Sequence, residues 1–150
     1  MTTVIDITDL PSKVGEHIGY SGWHTVTQEQ VNLFADATGD HQWIHVDPER
    51  AKSGPFGGPI AHGYLTLSLI PALLPEVLAV SGITMGVNYG TNKVRFPSPV
   101  PVGSELRLGL TLAAVEEVQG GVQVTLDVVL EVKDAPKPSC AAQVVFRYYR

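Results

Sequence analysis

The sequence predicts an α+β domain in which a curved antiparallel sheet packs around one buried helix. Two observations carry this prediction. The apolar residues between Leu65 and Leu74 fall on all sides of a helical projection, which is typical of a helix enclosed by other structure. After residue 93 the apolar residues recur with a period of two, which is typical of half-buried strands. A helix followed by a run of strands favours a sheet curled around that helix, although periodicity alone allows any α+β packing.

A strand and a helix are the first elements predicted along the chain. The candidate strand is Ile18–Val26. Thr27 and Gln30 then have the spacing of a capping box, and they precede an apolar stripe that Gly39 can end in the left-handed conformation. We therefore expect a helix from about Gln28 to Thr38.

The apolar segment Leu65–Val80 is predicted to be the buried helix. Pro71 should kink or interrupt it, because proline lacks an N–H and clashes with the preceding turn, and Pro75 should fall near its end. Alternating strands are expected at residues 93–96, 106–112, 122–130 and 142–148. Gly120 and Gly121 provide the hairpin turn between the second and third of these strands, and residues 135–138 form a loop before the last.

Composition limits the classes of function. The 150 residues suffice for a single domain, 1–150, with its own core. The net charge of -5 and the absence of a Lys/Arg-rich run give no general attraction to nucleic acid or to an anionic membrane. The longest apolar stretch contains prolines and falls short of the roughly 20 residues that span a bilayer. With one cysteine, Cys140, and no signal-peptide pattern at the start, the expected compartment is the cytoplasm.

Asp40 and His45 lie in a segment where folding alone does not require an acid and an imidazole. If the helix continued past Gly39, five residues would place the two side chains about 140° apart, so they can converge only on a loop. The alternative is that Asp40 forms an Asx-turn and His45 is a satisfied loop histidine. The following run, residues 54–63, is rich in glycine and proline and suits a close backbone approach to a ligand.

The segment from Phe34 to Pro71 resembles the MaoC-like dehydratases, which are (R)-specific enoyl-thioester hydratases. The matching residues are Gly39-Asp40, Ile44-His45 and Ala61-His62-Gly63. Gln42-Trp43 replaces the usual Asn-Pro of the family, and in this the chain resembles the nodulation-protein-N-like branch. The runs 88–90, 93–96 and 99–103 are also similar to the family, so the resemblance covers most of the chain.

This resemblance implies a hotdog fold, a curved antiparallel sheet wrapped around one long central helix. Hotdog dimers commonly join their sheets edge to edge, with the acyl tunnel near the interface. We therefore expect at least a homodimer.

The resemblance also implies hydration of a 2-enoyl thioester, and the reverse dehydration, on acyl-CoA or acyl carrier protein. Asp40 would be the water-activating base and His45 its partner in proton transfer, although a coupled pair can exchange these labels. The N–H of Gly63, at the start of the central helix, would stabilise the oxyanion. Ile60, Ala61 and His62 would complete this oxyanion and substrate-binding region. Coenzyme A is part of the substrate, so no cofactor is expected.

Other interpretations remain at the level of sequence. His62 on its own reads more simply as a structural cap or a loop contact. His41, His45 and Asp47 can be imagined as metal ligands, but no spacing matches a zinc helix motif, and no metal is expected. A hotdog thioesterase and a non-catalytic acyl-binding subunit of a dehydratase complex are the alternative functions.

Overall fold

The structure is a computed structural model that describes all 150 residues. It contains eight strands and five α-helices. The strands are β1 (Thr3–Asp6), β2 (His17–Tyr20), β3 (His24–Thr25), β4 (Leu78–Ser81), β5 (Met85–Arg95), β6 (Glu105–Val118), β7 (Gly121–Val132) and β8 (Cys140–Tyr149). The helices are α1 (Gln28–Thr38), α2 (Trp43–Val46), α3 (Pro48–Lys52), α4 (Gly63–Ser68) and α5 (Ile70–Leu73). Two 3₁₀ turns, Leu10–Lys13 and Leu74–Glu76, complete the secondary structure.

Six of the strands form an antiparallel sheet in the order β2-β6-β7-β8-β5, with β3 also pairing with β6. The remaining strands, β1 and β4, pair in parallel as a small separate sheet. The strands β6, β7 and β8 alternate as predicted, and their buried side chains form one apolar face. This face and the central helix belong to one continuous core cluster, which confirms the predicted packing.

The hairpin between β6 and β7 is confirmed, with a shift of one residue. Val118 pairs with Gly121, so the turn residues are Gln119 and Gly120. Gly120 has a φ of 82°, a left-handed conformation that favours glycine. Gly121 already belongs to β7, where an added Cβ would overlap the carbonyl oxygen of Tyr148. Both glycines are therefore needed, but for different reasons.

The central helix is divided into consecutive segments: α4, α5 and the 3₁₀ turn at Leu74–Glu76. The break falls at Leu69, and Pro71 lies in the first turn of α5, where its missing N–H costs no helical hydrogen bond. The predicted interruption is therefore confirmed. The expectation that the helix is enclosed on all sides is wrong for the single chain, because Tyr64, Ser68 and Ala72 are exposed along one stripe. Pro75 falls near the end of the helical region, in the last 3₁₀ turn, as predicted, but the predicted extent to Val80 is wrong, since β4 begins at Leu78.

The predicted strand Ile18–Val26 is interrupted. It forms β2 and β3, which both pair with β6. Between them, Ser21 donates its N–H to the carbonyl of Leu108, and its hydroxyl accepts the N–H of Leu108, both at 2.8 Å. The Ser21 hydroxyl thus replaces a backbone carbonyl as the acceptor for Leu108 in the sheet. A pattern of apolar residues does not predict such a replacement.

Helix α1 begins and ends where the sequence predicts. The hydroxyl of Thr27 accepts the N–H of Gln30 at 3.1 Å, which caps the first turn. Gly39 adopts a φ of 85° and donates its N–H to the carbonyl of Ala35, which closes the last turn. Asp47 likewise caps α3, and Pro48 occupies the first turn of that helix.

Strand β5 is the edge of the main sheet, paired only with β8. Most of its side chains are exposed in the single chain, including the apolar Met85, Val87 and Tyr89. The alternation predicted for residues 93–96 therefore covers only the end of a much longer strand. None of the helices combines the length and the apolar character that a bilayer-spanning segment requires.

Candidate active site

Asp40 lies in the short loop that joins α1 to α2. Gly39 ends α1, so the chain turns away before Asp40, and α2 begins only at Trp43. The Oδ1 atom of Asp40 accepts the N–H of Gln42 at 3.3 Å, which gives the Asx-turn that the alternative interpretation expects. The residue is nevertheless exposed, so its carboxylate is accessible to a ligand.

His45 is buried in α2, with 6% of its surface exposed. Its Nδ1 lies 2.7 Å from the carbonyl oxygen of Ile60. Because a carbonyl can only accept, Nδ1 carries the proton, and Nε2 of the neutral ring is left as an acceptor. The backbone of α2 is fixed from two sides, since the Gln28 side chain donates to the His45 carbonyl at 2.8 Å and Ile60 donates its N–H to the carbonyl of Ile44 at 3.0 Å.

His62, immediately before α4, is buried with 2% exposure. Its Nε2 donates to the backbone carbonyl of Asp40 at 3.0 Å, and its Nδ1 is buried without a hydrogen-bond partner. The ring stacks on that of His45, with centroids 4.0 Å apart and an angle of 26° between the planes. The predicted loop contact is therefore present, but His62 does not cap the helix with its side chain.

The three residues converge. One carboxylate oxygen of Asp40 and one ring nitrogen each from His45 and His62 lie within 4.8 Å of one another. The structure thus brings Asp40 and His45 together, as a loop opened at Gly39 allows. Two imidazoles and a carboxylate are also ligand types that suit Zn²⁺. The metal set imagined from sequence is not assembled, because His41 pairs with Asp36 at 3.0 Å and Asp47 caps α3.

The environment of His45 lowers the pKa of its imidazole below the ordinary value of 6.5. Burial is the largest cause, because it disfavours the charged ring. The hydrogen bond to the Ile60 carbonyl opposes this effect, the charge of His62 adds to it, and the charge of Asp40 opposes it. The neutral form, with Nε2 unprotonated, is therefore favoured at neutral pH.

Gly63 begins α4 beside a cavity of about 310 Å³. Its N–H belongs to the first turn, where the helix itself offers no acceptor. A Cβ added here would lie 3.1 Å from the ring of Phe96, so the position is also tightly packed. Phe56, Ile60 and Ala61 line the same cavity. Ala61 directly precedes His62, and the carbonyl of Ile60 accepts the Nδ1–H of His45, so the cavity wall is directly connected to both histidines.

Comparison with known proteins identifies the family. The family described as MaoC like domain matches residues 9–133. The chain belongs to this family. It is 54% identical over 149 residues to 3-hydroxyacyl-thioester dehydratase Z of Mycobacterium tuberculosis, with 99% of both chains covered. It is 44% identical over 144 residues to nodulation protein N of Rhizobium leguminosarum bv. viciae, which covers 92% of this chain and 88% of that protein.

A solved structure agrees with this assignment. R-Hydratase PhaJ1 from Pseudomonas aeruginosa matches the MaoC-like chain with a TM-score of 0.69 and 26% identity, over 91% of this chain and 82% of that one. The predicted family, its nodulation-protein-N-like branch and the hotdog fold are thereby confirmed. Relatives named dehydratase and hydratase are hydro-lyases, and the MaoC-like chain is an enzyme of this class.

Ile60 and Ala61 contact the rest of the candidate site mainly through backbone hydrogen bonds. Ile60 uses both its N–H and its carbonyl to hold α2, and Ala61 donates its N–H to the carbonyl of Val100 at 2.8 Å. Neither N–H is therefore free for a substrate. The role of Gln28 cannot be predicted from the sequence, because a glutamine in the first turn of a helix carries no signal that it will reach the His45 carbonyl.

Trp43, where the family usually has proline, has a definite packing role. Its ring lies so close to Gly54 that an added Cβ there would be 2.9 Å from it. The guanidinium of Arg50 lies over the Trp43 ring, with its Cζ 4.3 Å from the ring centroid. Trp43 thus joins α2 to α3 and to the glycine-rich run that follows.

Proposed function

We propose that the chain is an (R)-specific 2-enoyl-thioester hydratase and 3-hydroxyacyl-thioester dehydratase, working as one MaoC-like domain over residues 1–150. The observation that carries the proposal is the convergence of the Asp40 carboxylate with the ring of the buried His45, in a group of three ligand atoms within 4.8 Å of one another, while the Ile60 carbonyl holds Nδ1 of that ring. The names of the relatives support the same reaction, since one is a 3-hydroxyacyl-thioester dehydratase and another an R-hydratase.

In the hydration direction, Asp40 and His45 hold one water molecule between them. The pair removes a proton from the water as its oxygen bonds to Cβ of the enoyl thioester. Electrons of the C=C bond move towards the thioester carbonyl, and the enolate then takes a proton from the pair at Cα. Water is thus added across the double bond and the pair returns to its starting state. Acid/base assistance of this kind contributes about 10²–10⁴ in rate.

His45 is suited to this role because its tautomer is fixed. The Ile60 carbonyl holds the proton on Nδ1, so Nε2 can accept a proton from water and later return it. Asp40 shares the water and can act as the base itself, as a coupled pair permits.

Gly63 supplies the third component of the proposed mechanism. The negative charge that develops on the thioester oxygen needs a donor, and the N–H of Gly63 is not consumed by the helix. The cavity beside Gly63 offers a place for the thioester, with Ile60 and Ala61 in its wall. His62 contributes to this region from behind, through contacts with the two acid/base residues.

We propose that the reaction needs neither metal nor a separate cofactor, with coenzyme A entering only as part of the substrate. Asp40, His45 and His62 could hold a divalent cation, so this point requires its own test. Treatment with a strong chelator, followed by dialysis, should leave turnover unchanged. A loss of activity that Zn²⁺ restores would refute the metal-free mechanism.

Crotonyl-CoA provides the direct test of the function. The absorbance of the conjugated thioester and the release of free thiol should be followed in parallel. Loss of absorbance without thiol indicates the hydratase, and chiral analysis should find the (3R)-hydroxy product. Thiol release would indicate a thioesterase instead, and no change in either signal would indicate an acyl-binding subunit. Repeating the assay with crotonyl-acyl carrier protein compares the two carriers.

We also propose that the active form is a homodimer in the cytoplasm. Strand β5 pairs with β8 on one side only, so its outer edge is free, and with exposed Met85, Val87 and Tyr89 it offers a surface able to pair with another strand. Val87→Lys should yield a monomer by light scattering, whereas the control Val129→Lys, at an exposed site on the inner strand β7, should not. A monomeric wild-type chain would refute the dimer, and cell fractionation tests the compartment.

A further inference from the structure

His62 contacts both members of the acid/base pair. Its Nε2–H donates to the backbone carbonyl of Asp40 at 3.0 Å, and its ring stacks on His45 at 4.0 Å between centroids. It also directly precedes Gly63. With 2% exposure, this imidazole is more deeply buried than that of His45.

The buried ring has one unused polar atom. Nε2 carries the proton that is donated to the carbonyl of Asp40, whereas Nδ1 is buried without a partner. A buried polar atom without a hydrogen bond is unfavourable, and an apolar ring would avoid it. The presence of an imidazole here is therefore not explained by core packing alone.

We infer that His62 is a positioning residue, which holds the Asp40 loop through its Nε2–H and keeps the stacked His45 ring oriented and neutral. This inference rests on the proposed function and extends it to a residue that touches no reacting atom. Two features of the geometry support it. The hydrogen bond fixes the peptide that carries the Asp40 carboxylate, and the stacking restricts rotation of the His45 ring about its side-chain bonds.

The stacking also has an electrostatic consequence. Two imidazolium rings with centroids 4.0 Å apart repel each other, so protonation of one ring disfavours protonation of the other. Burial is the main reason that the pKa of His45 is low, and the charge of His62 acts in the same direction, against the Ile60 carbonyl and Asp40. Removing the imidazole of His62 should therefore raise the pKa of His45.

Other charged groups near this pair are engaged elsewhere or exposed. On α1, Phe34 covers His62 at 4.8 Å between ring centroids, and Asp36 is paired with His41. On α3, Asp47 accepts the N–H of Arg50, and the Arg50 guanidinium stacks on Trp43. The remaining charged side chains of these two helices are exposed: Glu29, Glu49 and Lys52.

Two variants separate the parts played by His62. His62→Gln keeps an amide N–H that can reach the Asp40 carbonyl, whereas His62→Phe keeps a stacking ring without a donor. We expect His62→Phe to lose on the order of 10² in kcat with little change in KM, since small misplacements of reacting groups have effects of this size. His62→Gln should recover most of the loss. In both variants the acid limb of the kcat/KM profile should move to higher pH.

A second readout does not depend on turnover. The titration of the His45 ring by NMR, assigned with His45→Gln, should show a higher pKa in both His62 variants. Wild-type kcat in His62→Phe, or an unshifted His45 titration in folded His62→Gln, would overturn the inference. If His62→Phe does not fold, His62→Gln alone decides through the titration. If the wild-type chain hydrates no enoyl thioester, the proposed function fails, and the titration still decides whether His62 controls His45.

Discussion

The site segment (residues 39–63) and the inner strands (β6, β7 and β8) use burial in opposite ways. In the inner strands the buried side chains are almost all apolar, and the polar groups of the backbone are satisfied by the ladder. In the site segment two imidazoles are buried, and each donates to a carbonyl of the same segment, His45 to Ile60 and His62 to Asp40. The comparison suggests that the inner strands provide stability, whereas the site segment provides positioned polar groups.

Asp40→Asn, in the site segment, should give the largest loss of activity with little loss of stability. The Asn side chain retains an oxygen that can accept the N–H of Gln42, so the loop should be preserved. The loss of the carboxylate should reduce kcat for crotonyl-CoA hydration by about 10²–10⁴, the usual contribution of acid/base groups. The melting temperature should stay close to that of the wild type, as measured by calorimetry.

Asp47→Asn is the matched control for Asp40→Asn. Asp47 is also exposed and also accepts a backbone N–H, from Arg50 at the start of α3, but it lies outside the converging group. Its kcat should remain within about threefold of the wild type. Equal losses in the two variants would show that the site segment needs any local aspartate turn, and not the carboxylate of Asp40.

Leu110→Ala, in the inner strands, should have the opposite effect and lower stability without lowering kcat. Leu110 is fully buried on β6, and truncation of such a leucine costs about 2–5 kcal/mol of the free energy of unfolding. The kcat of the folded enzyme should be unchanged. Denaturant titrations and turnover numbers, compared with Val129→Ala at an exposed position on β7, measure the difference. A fall in kcat for Leu110→Ala, after correction for the folded fraction, would contradict the division between the two regions.

The same contrast explains what the sequence predicts well. Helix α1 is foreseen to the residue because Thr27 and Gly39 act locally, through a side-chain cap and a left-handed φ. The inner strands follow from an alternating pattern that burial on one face imposes. The interruption of the central helix follows from Pro71, whose chemistry is also local.

The features that the sequence does not predict depend on contacts between residues that are far apart along the chain. Ser21 breaks the first strand because it bonds to Leu108, which is 87 residues away in sequence. The parallel pairing of β1 with β4 joins the two ends of a long stretch of chain. In the site, Asp40 and His45 could be found from their chemistry, but the stacking of His62 on His45 depends on how α4 docks.

Gly63→Pro, compared with Gly63→Ala, isolates a single N–H of the site segment. Both variants add the same Cβ against Phe96, but only proline removes the N–H. Proline suits the first turn of a helix, and the extended conformation of His62, with ψ of 142°, suits a residue before proline. Loss of an oxyanion donor should lower kcat of Gly63→Pro by on the order of 10²–10³ relative to Gly63→Ala. Equal kcat in the two variants would remove the N–H from the mechanism and leave Gly63 a packing role.

The smallest effects should come from His41, which lies four residues from His45 but outside the buried pair. The hydrogen bond to Asp36 raises the pKa of His41, whereas burial lowers the pKa of His45, both from 6.5. The contribution of His41 to stability is therefore present below pH 6.5 and is lost as the pH rises through its raised pKa. For His45 the sign is reversed, because acidification below pH 6.5 charges the unfolded chain first and reduces stability.

His41→Ala should accordingly lower the melting temperature slightly in acid and not in alkali, with kcat unchanged. Asp36→Asn, which breaks the same pair from the other side, should give the same profile. In the wild type, kcat/KM should fall only below pH 6.5, since His45 must be neutral in the free enzyme. An acid limb above pH 6.5 that disappears in His41→Ala would assign the titration to the exposed histidine, and the contrast between the two residues would fail.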